Sequence, residues 1–266
     1  MSRPPRRSAD SVDLARAVRR LTDVELTDGD AVRDAVNALV ARHVTGNMPP
    51  AALAVAPEAF DHLLAALPAQ PGQPDPVLRT VTLTGGALAV DLEAALGSLE
   101  KGADEVQLDL EAEAFLPDER DQDPAFTLLR DLKLACGPHV PLKVMLRDRA
   151  FADDRALAEA VEIALSGGAD MIGLDLAALG IRGADAALDA TLRLTGLLRD
   201  ADRPVGIKLR GGTDILAGLA EADTVLRLAR RFQDREAVGP DRLRLCGAAL
   251  DDAVLTCLRA AGDGPH

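Results

Sequence analysis

The sequence predicts an α/β fold, a (β/α)8 TIM barrel in a single domain. Three observations carry that expectation. Short apolar strands alternate with helical segments along the chain, the pattern of βα units around a parallel sheet. Eight such strands can be traced, the number that closes this barrel. The length of 266 residues suits one barrel domain. An open doubly wound sheet is the runner-up, but no G-x-G-x-x-G follows the first strand.

Residues 1–10, opening M-S-R-P-P-R-R-S, read as a disordered arm, charged and without the apolar stretch of a secretory signal. The barrel is expected over residues 11–262. Ser11–Arg20 has helical spacing and leads into a strand at Leu21–Leu26. Thr27–His43 is a helix whose acidic opening, T-D-G-D, suits a positive helix N-terminus. Strand two is Ala51–Val55 and a helix follows at Glu58–Leu67. Pro68–Pro76 is a proline-rich loop, too short for a domain linker. Strand three, Leu78–Leu83, precedes a helix at Ala89–Lys101. Strand four is Glu105–Leu110, with a helix at Pro124–Cys136. Strand five is Pro141–Leu146, followed by the strongly periodic helix Arg155–Ser166. Strand six, Met171–Leu176, precedes helix Ala184–Arg199. Strand seven, Val205–Leu209, precedes helix Asp214–Arg231. Strand eight, Leu243–Leu245, precedes the closing helix Leu250–Ala260.

Hydrophobic residues make up 48% of the chain but aromatics only 2%, so the core must be built from Ala, Leu, Val and Ile. A net charge of −13 repels phosphate backbones and acidic bilayers, and stacking platforms for bases are absent. We therefore expect no nucleic-acid partner and, with no apolar run of spanning length, no membrane. Cys136, Cys246 and Cys257 are expected as buried free thiols, which points to a reducing, cytoplasmic setting. His43, His62 and His139 have no metal spacing and read as surface or helix-end residues. D-E-R-D-Q-D (Asp118–Asp123) lacks the glycine turn of a calcium loop and reads as a solvated acidic loop. No metal or cofactor is expected.

Several segments, in this order and spacing, resemble the deoxyribose-phosphate aldolase family, whose members form a Schiff base with their substrate. They are V-T-G-N-M-P-P-A-A-L-A-V-A-P (Val44–Pro57), G-A-D-E-V-Q-L-D-L (Gly102–Leu110), P-L-K-V-M-L (Pro141–Leu146), G-A-D-M-I-G-L-D-L (Gly168–Leu176), G-I-K-L-R-G-G (Gly206–Gly212) and D-R-L-R-L-C-G-A-A-L (Asp241–Leu250). The resemblance implies a barrel aldolase running from about Leu14 to Leu258, with a small aldehyde or sugar as ligand and an aldolase-family subunit as an oligomeric partner.

Carried over residue by residue, the resemblance implies an altered site. The nucleophilic lysine corresponds to Gly173 and the proton-relay aspartate to Gln107. The second lysine is kept as Lys208, and Lys143 also matches a family lysine. The Gly-Gly phosphate turn is kept as Gly211 and Gly212, with Arg210 beside it, but the positive residue just after corresponds to Asp214. The closing phosphate loop corresponds to Cys246–Ala249, where Gly247 stays and both hydroxyls are missing. A Phe-Pro turn after strand three is here Gly85–Gly86.

Alternation along the strands places Gly173 with Asp175 on one face, and Gln107 with Asp109. A carboxylate near Lys208 favours its charged form and makes it a poor nucleophile. Asp109, Asp175, Lys143 and Lys208 are expected to form a charge-balanced layer in the barrel. Asp214 is expected to cap the helix after strand seven. Arg210 and Arg182 could each meet an anion, or stand in solvent. Three readings follow: an aldolase-like barrel inactive or changed in chemistry, serving as partner subunit or scaffold; an active lyase with its Schiff base on Lys208 or Lys143; or an enzyme using Asp175 as general base.

Overall fold

The computed structural model describes residues 9–26, 32–44, 48–68, 76–85, 92–115, 124–233 and 238–261. Eight parallel strands close into a barrel in sequence order: β1 (Thr22–Glu25), β2 (Ala52–Val55), β3 (Leu78–Gly85), β4 (Glu105–Leu110), β5 (Leu142–Leu146), β6 (Met171–Asp175), β7 (Gly206–Arg210) and β8 (Leu243–Cys246). Closure is made by β8 on β1, where Thr22 stands opposite Leu245 and Asp23 opposite Cys246. The helices are α1 (Ala9–Arg19), α2 (Val32–Val44), α3 (Phe60–Ala66), α4 (Leu92–Glu100), α5 (Pro124–Cys136), α6 (Asp154–Ser166), α7 (Ala184–Leu198), α8 (Leu219–Gln233) and α9 (Ala248–Ala261). Among them, none is long and apolar enough to cross a membrane.

The strands are buried on both sides, yet the two sides differ in chemistry. Outward positions such as Val81, Leu108, Val144, Ile172, Leu209 and Leu245 join the helices in one Ala/Leu/Val/Ile core. Inward positions carry Asp23, Glu25, Glu105, Gln107, Asp109, Lys143, Lys208 and Arg244. A barrel interior is ordinarily filled by layers of branched apolar side chains. Here it is filled mainly by charges.

The strand and helix order follows the sequence reading, with β4 and α5 at their expected bounds. The helix after β2 differs. Pro57 opens a 3-10 turn, Pro57–Ala59, and α3 begins only at Phe60. The helix after β7 starts at Leu219, not Asp214. Residues 212–216 instead fold back, with Gly212 N donating to Ile215 O at 3.0 Å and Leu216 held at φ 54°. Asp214 is therefore exposed and does not cap the helix. Helix α1 begins at Ala9, inside the expected arm. Residues 1–8, the acidic turn at 27–31, Gly46 and Asn47, most of the proline-rich loop, Gly86, and Asp118–Asp123 lie outside the described residues.

His43 is buried, contrary to its expected surface position. Arg19 explains it. This guanidinium, itself fully buried, donates to Asp251 Oδ1 at 2.6 Å, to His43 Nδ1 at 3.0 Å and to Met48 O at 3.1 Å, tying α1 to α2 and α9. Burial, with Arg19 and Arg42 beside it, pushes the His43 imidazole down to about 3, so it stays neutral and accepts from Arg19. The three cysteines are buried free thiols.

Candidate functional site

The barrel interior holds two stacked layers of ion pairs. Toward the strand N-termini, Asp23 and Glu105 face Lys143 and Arg244. Lys143 Nζ donates to Asp23 Oδ2 at 3.1 Å and to Glu105 Oε2 at 2.7 Å. Arg244 bridges the same two carboxylates at 2.6 and 2.7 Å. Above this layer, Lys208 Nζ reaches Asp23 Oδ2 at 2.8 Å, Glu25 Oε1 at 2.6 Å and Gln107 Oε1 at 2.6 Å. An ammonium has three donors, and all three are spent.

At the mouth, Arg210 binds Glu25 Oε2 at 2.7 Å, Asp109 Oδ2 at 2.9 Å and Asp175 Oδ2 at 3.2 Å. Gln107 joins the layers. Its Nε2 donates to Asp109 Oδ1 at 2.9 Å and Glu25 Oε1 at 3.2 Å, while its oxygen takes Lys208. Five carboxylates (Asp23, Glu25, Glu105, Asp109, Asp175) thus face four cations, and Arg147 on the rim, 3.6 Å from Asp109, supplies a fifth. Buried charge is tolerated when paired in this way.

The partners differ from those expected. Asp109 and Asp175 do not serve Lys208; both are taken by Arg210, which lies in the mouth and not in solvent. Lys208 is instead held by Asp23 and Glu25. Burial opposes its charge, but those two carboxylates outweigh burial and keep the ammonium above the ordinary lysine range. Asp23, Glu25, Glu105 and Arg244 were missed by the sequence reading. Their signal was legible: T-D-V-E and E-V-Q-L-D-L put acids at period two within short strands, and L-R-L-C sets one arginine between apolar residues.

Gly173 stands opposite Lys208 in the β6–β7 register, facing the interior. The place where its side chain would go is already filled. A Cβ there would overlap the Met145 sulfur and come within 2.8 Å of Lys208 O and 2.9 Å of Lys208 Cβ.

The expected phosphate turn is spent on the protein itself. Gly211 N donates to Cys246 O at 2.7 Å and Gly212 N to Ile215 O. The Ala217 amide, ahead of α8, donates to Glu221 Oε2 at 2.6 Å. The protein's own carboxylate thus occupies a donor an anion would need. Arg182 is exposed and reaches no further than Ile181 O. Gly247 packs over Gly211 and lines, with Asp23, Glu25, Arg42, Arg210 and Cys246, a cavity of about 450 Å³ at the β8–β1 seam. Among the described residues no group of His, Cys, Asp and Glu is arranged to hold a metal ion.

No protein-family model matches the chain. A deoxyribose-phosphate aldolase from Agrobacterium fabrum is 29% identical over 178 residues, which cover 67% of this chain and 64% of that relative. The likeness is to deoxyribose-phosphate aldolases. Two crystal structures from Toxoplasma gondii ME49, described as of a deoxyribose-phosphate aldolase, superpose with TM-scores of 0.73 and 0.70 at 19% identity. They cover 95% of this chain, and 95% and 99% of theirs, and at that identity they speak to the fold alone. The eight-stranded parallel barrel is thus shared with those structures.

The network sets a pH dependence. Burial pushes Glu25 up, but Lys208 and Arg210 outweigh it and bring the carboxyl from 4.5 down to about 2. Asp23 and Glu105 are held low by Lys143 and Arg244 in the same way. A depressed carboxyl stabilises the fold above its unfolded pKa, and that stability is lost as pH falls through the folded value. Glu25 alone accounts for about 3 kcal/mol on that basis. The melting temperature is expected to fall steeply from about pH 4.5 to pH 2; a flat profile across that window would show the pairs to be absent.

Proposed function

We propose that this chain is an aldolase-like barrel that has lost Schiff-base cleavage and acts in the cytoplasm as a partner subunit or scaffold, in the first instance for an aldolase-family subunit. One observation carries the reading: every donor of the Lys208 ammonium is bound to a buried acceptor. Class I aldol chemistry needs an unprotonated amine with room to attack a carbonyl. Lys208 offers neither, Lys143 is 1% exposed between Asp23 and Glu105, and Gly173 has no amine. The spent amides of the Gly211–Gly212 turn support the same reading for the phosphate end of a sugar substrate.

The test is borohydride reduction in the presence of acetaldehyde or 2-deoxyribose 5-phosphate, followed by peptide mass analysis. The expected result is no reduced adduct on Lys208 or Lys143 and no cleavage of the sugar phosphate. An adduct on either lysine, abolished by Lys→Met at that position, would establish a working lyase instead.

A further inference from the structure

We propose that Arg210 is an intramolecular ligand closing the barrel mouth, and that Glu25, Asp109 and Asp175 around it form a recognition site for guanidinium and amidinium cations. The three carboxylates come from β1, β4 and β6, none of which neighbours another in the sheet, so the mouth is assembled across the barrel. Their oxygens meet the two terminal nitrogens of Arg210: Nη1 takes Asp109 Oδ2 and Asp175 Oδ2, and Nη2 takes Glu25 Oε2 and, at 3.4 Å, Asp109 Oδ1. That arrangement fits a planar fork and not a point charge. Glu25 divides its oxygens accordingly, one to the Lys208 ammonium and one to the guanidinium.

Two further observations make the guanidinium separable from the chain. Arg210 Nε is buried and has no acceptor, so the fork is held by its terminal nitrogens alone. A free alkylguanidinium could therefore reproduce the contacts made by Arg210. The Arg210 side chain also lines the cavity at the β8–β1 seam together with Glu25. Shortening it joins that cavity to the carboxylates and gives a small cation a way in.

The experiment is Arg210→Ala with methylguanidinium as the probe, methylammonium at equal ionic strength as control, and the unchanged protein alongside. Arg210→Ala should melt at a lower temperature and recover in millimolar methylguanidinium, binding it saturably and about tenfold more tightly than methylammonium. The unchanged protein should show no such recovery, its site being filled. Asp109→Asn in the Arg210→Ala background should weaken the binding. Equal response to both cations, or an equal response of the unchanged protein, overturns the proposal. If Arg210→Ala does not accumulate folded, refolding with each cation decides: a yield raised by methylguanidinium alone supports the site, and equal yields refute it.

Discussion

Lys208→Met is expected to destabilise the fold by about 3 kcal/mol or more, a loss typical of breaking a buried ion pair from one side. The reason is what the substitution leaves behind. The Asp23 side chain is fully shielded and cannot be rehydrated in place, while that of Glu25 is 8% exposed on the wall of the seam cavity. Asp23 keeps Lys143 and Arg244, and Glu25 keeps Arg210, which places the loss at the lower end of the range for such pairs. Gln107 loses the donor to its oxygen as well, leaving a buried acceptor unmet. Adding Glu25→Gln to Lys208→Met reduces the excess of carboxylates left by the lost ammonium and should return part of the stability. Urea unfolding of the single and double variants is the measurement. A Lys208→Met protein within about 1 kcal/mol of the parent would mean that the pairs seen around Lys208 do not hold it, since surface-like pairs are worth that little.

What the sequence made legible was the face of each residue, and what it left hidden was its partner. Period-two alternation put Gly173 with Asp175, and Gln107 with Asp109, on the interior side, because successive strand side chains point to opposite faces. It could not say which cation each acid meets. Asp23 and Lys208 lie 185 residues apart and touch across the barrel, a distance no local pattern encodes. Asp109 and Asp175 are expected at Lys208 from alternation alone, with Arg210 one residue past the expected end of strand seven at Leu209. Only the register, with Asp175 opposite Arg210 at the end of β6 and β7, shows that Arg210 is the last interior position of its strand. His43 was misplaced for a related reason: its burial depends on Arg19 from another helix. The boundary of α8 failed locally. Five residues after the Gly211–Gly212 turn could continue as helix by composition, but Leu216 adopts a left-handed conformation that stops it.

Gly173→Lys, which sets an amine where the sequence resemblance places the nucleophile, is expected to give no aldolase turnover and to lower stability. The obstacle is volume before chemistry. Met145, on the adjacent strand and paired in register with Gly173, fills the space with its sulfur, and the Lys208 backbone closes the other side. Inserting a side chain into a filled interior commonly costs about 1–3 kcal/mol, and a lysine there must also be desolvated without a free carboxylate to meet it. Asp175 and Asp109 are occupied by Arg210, so the new ammonium would have to break that set to be paired. Met145→Ala in the same protein relieves the overlap and should restore part of the melting temperature. Turnover should still be absent. Gln107 cannot relay protons as a carboxylate can, Arg210 fills the mouth, and the Gly211 and Gly212 amides are committed to Cys246 and Ile215. The readouts are cleavage of 2-deoxyribose 5-phosphate and the melting temperature of the single and double variants. Efficient cleavage by Gly173→Lys alone would show that Met145 yields freely and that the rest of the site is intact, and the assignment of a self-occupied barrel would then fail.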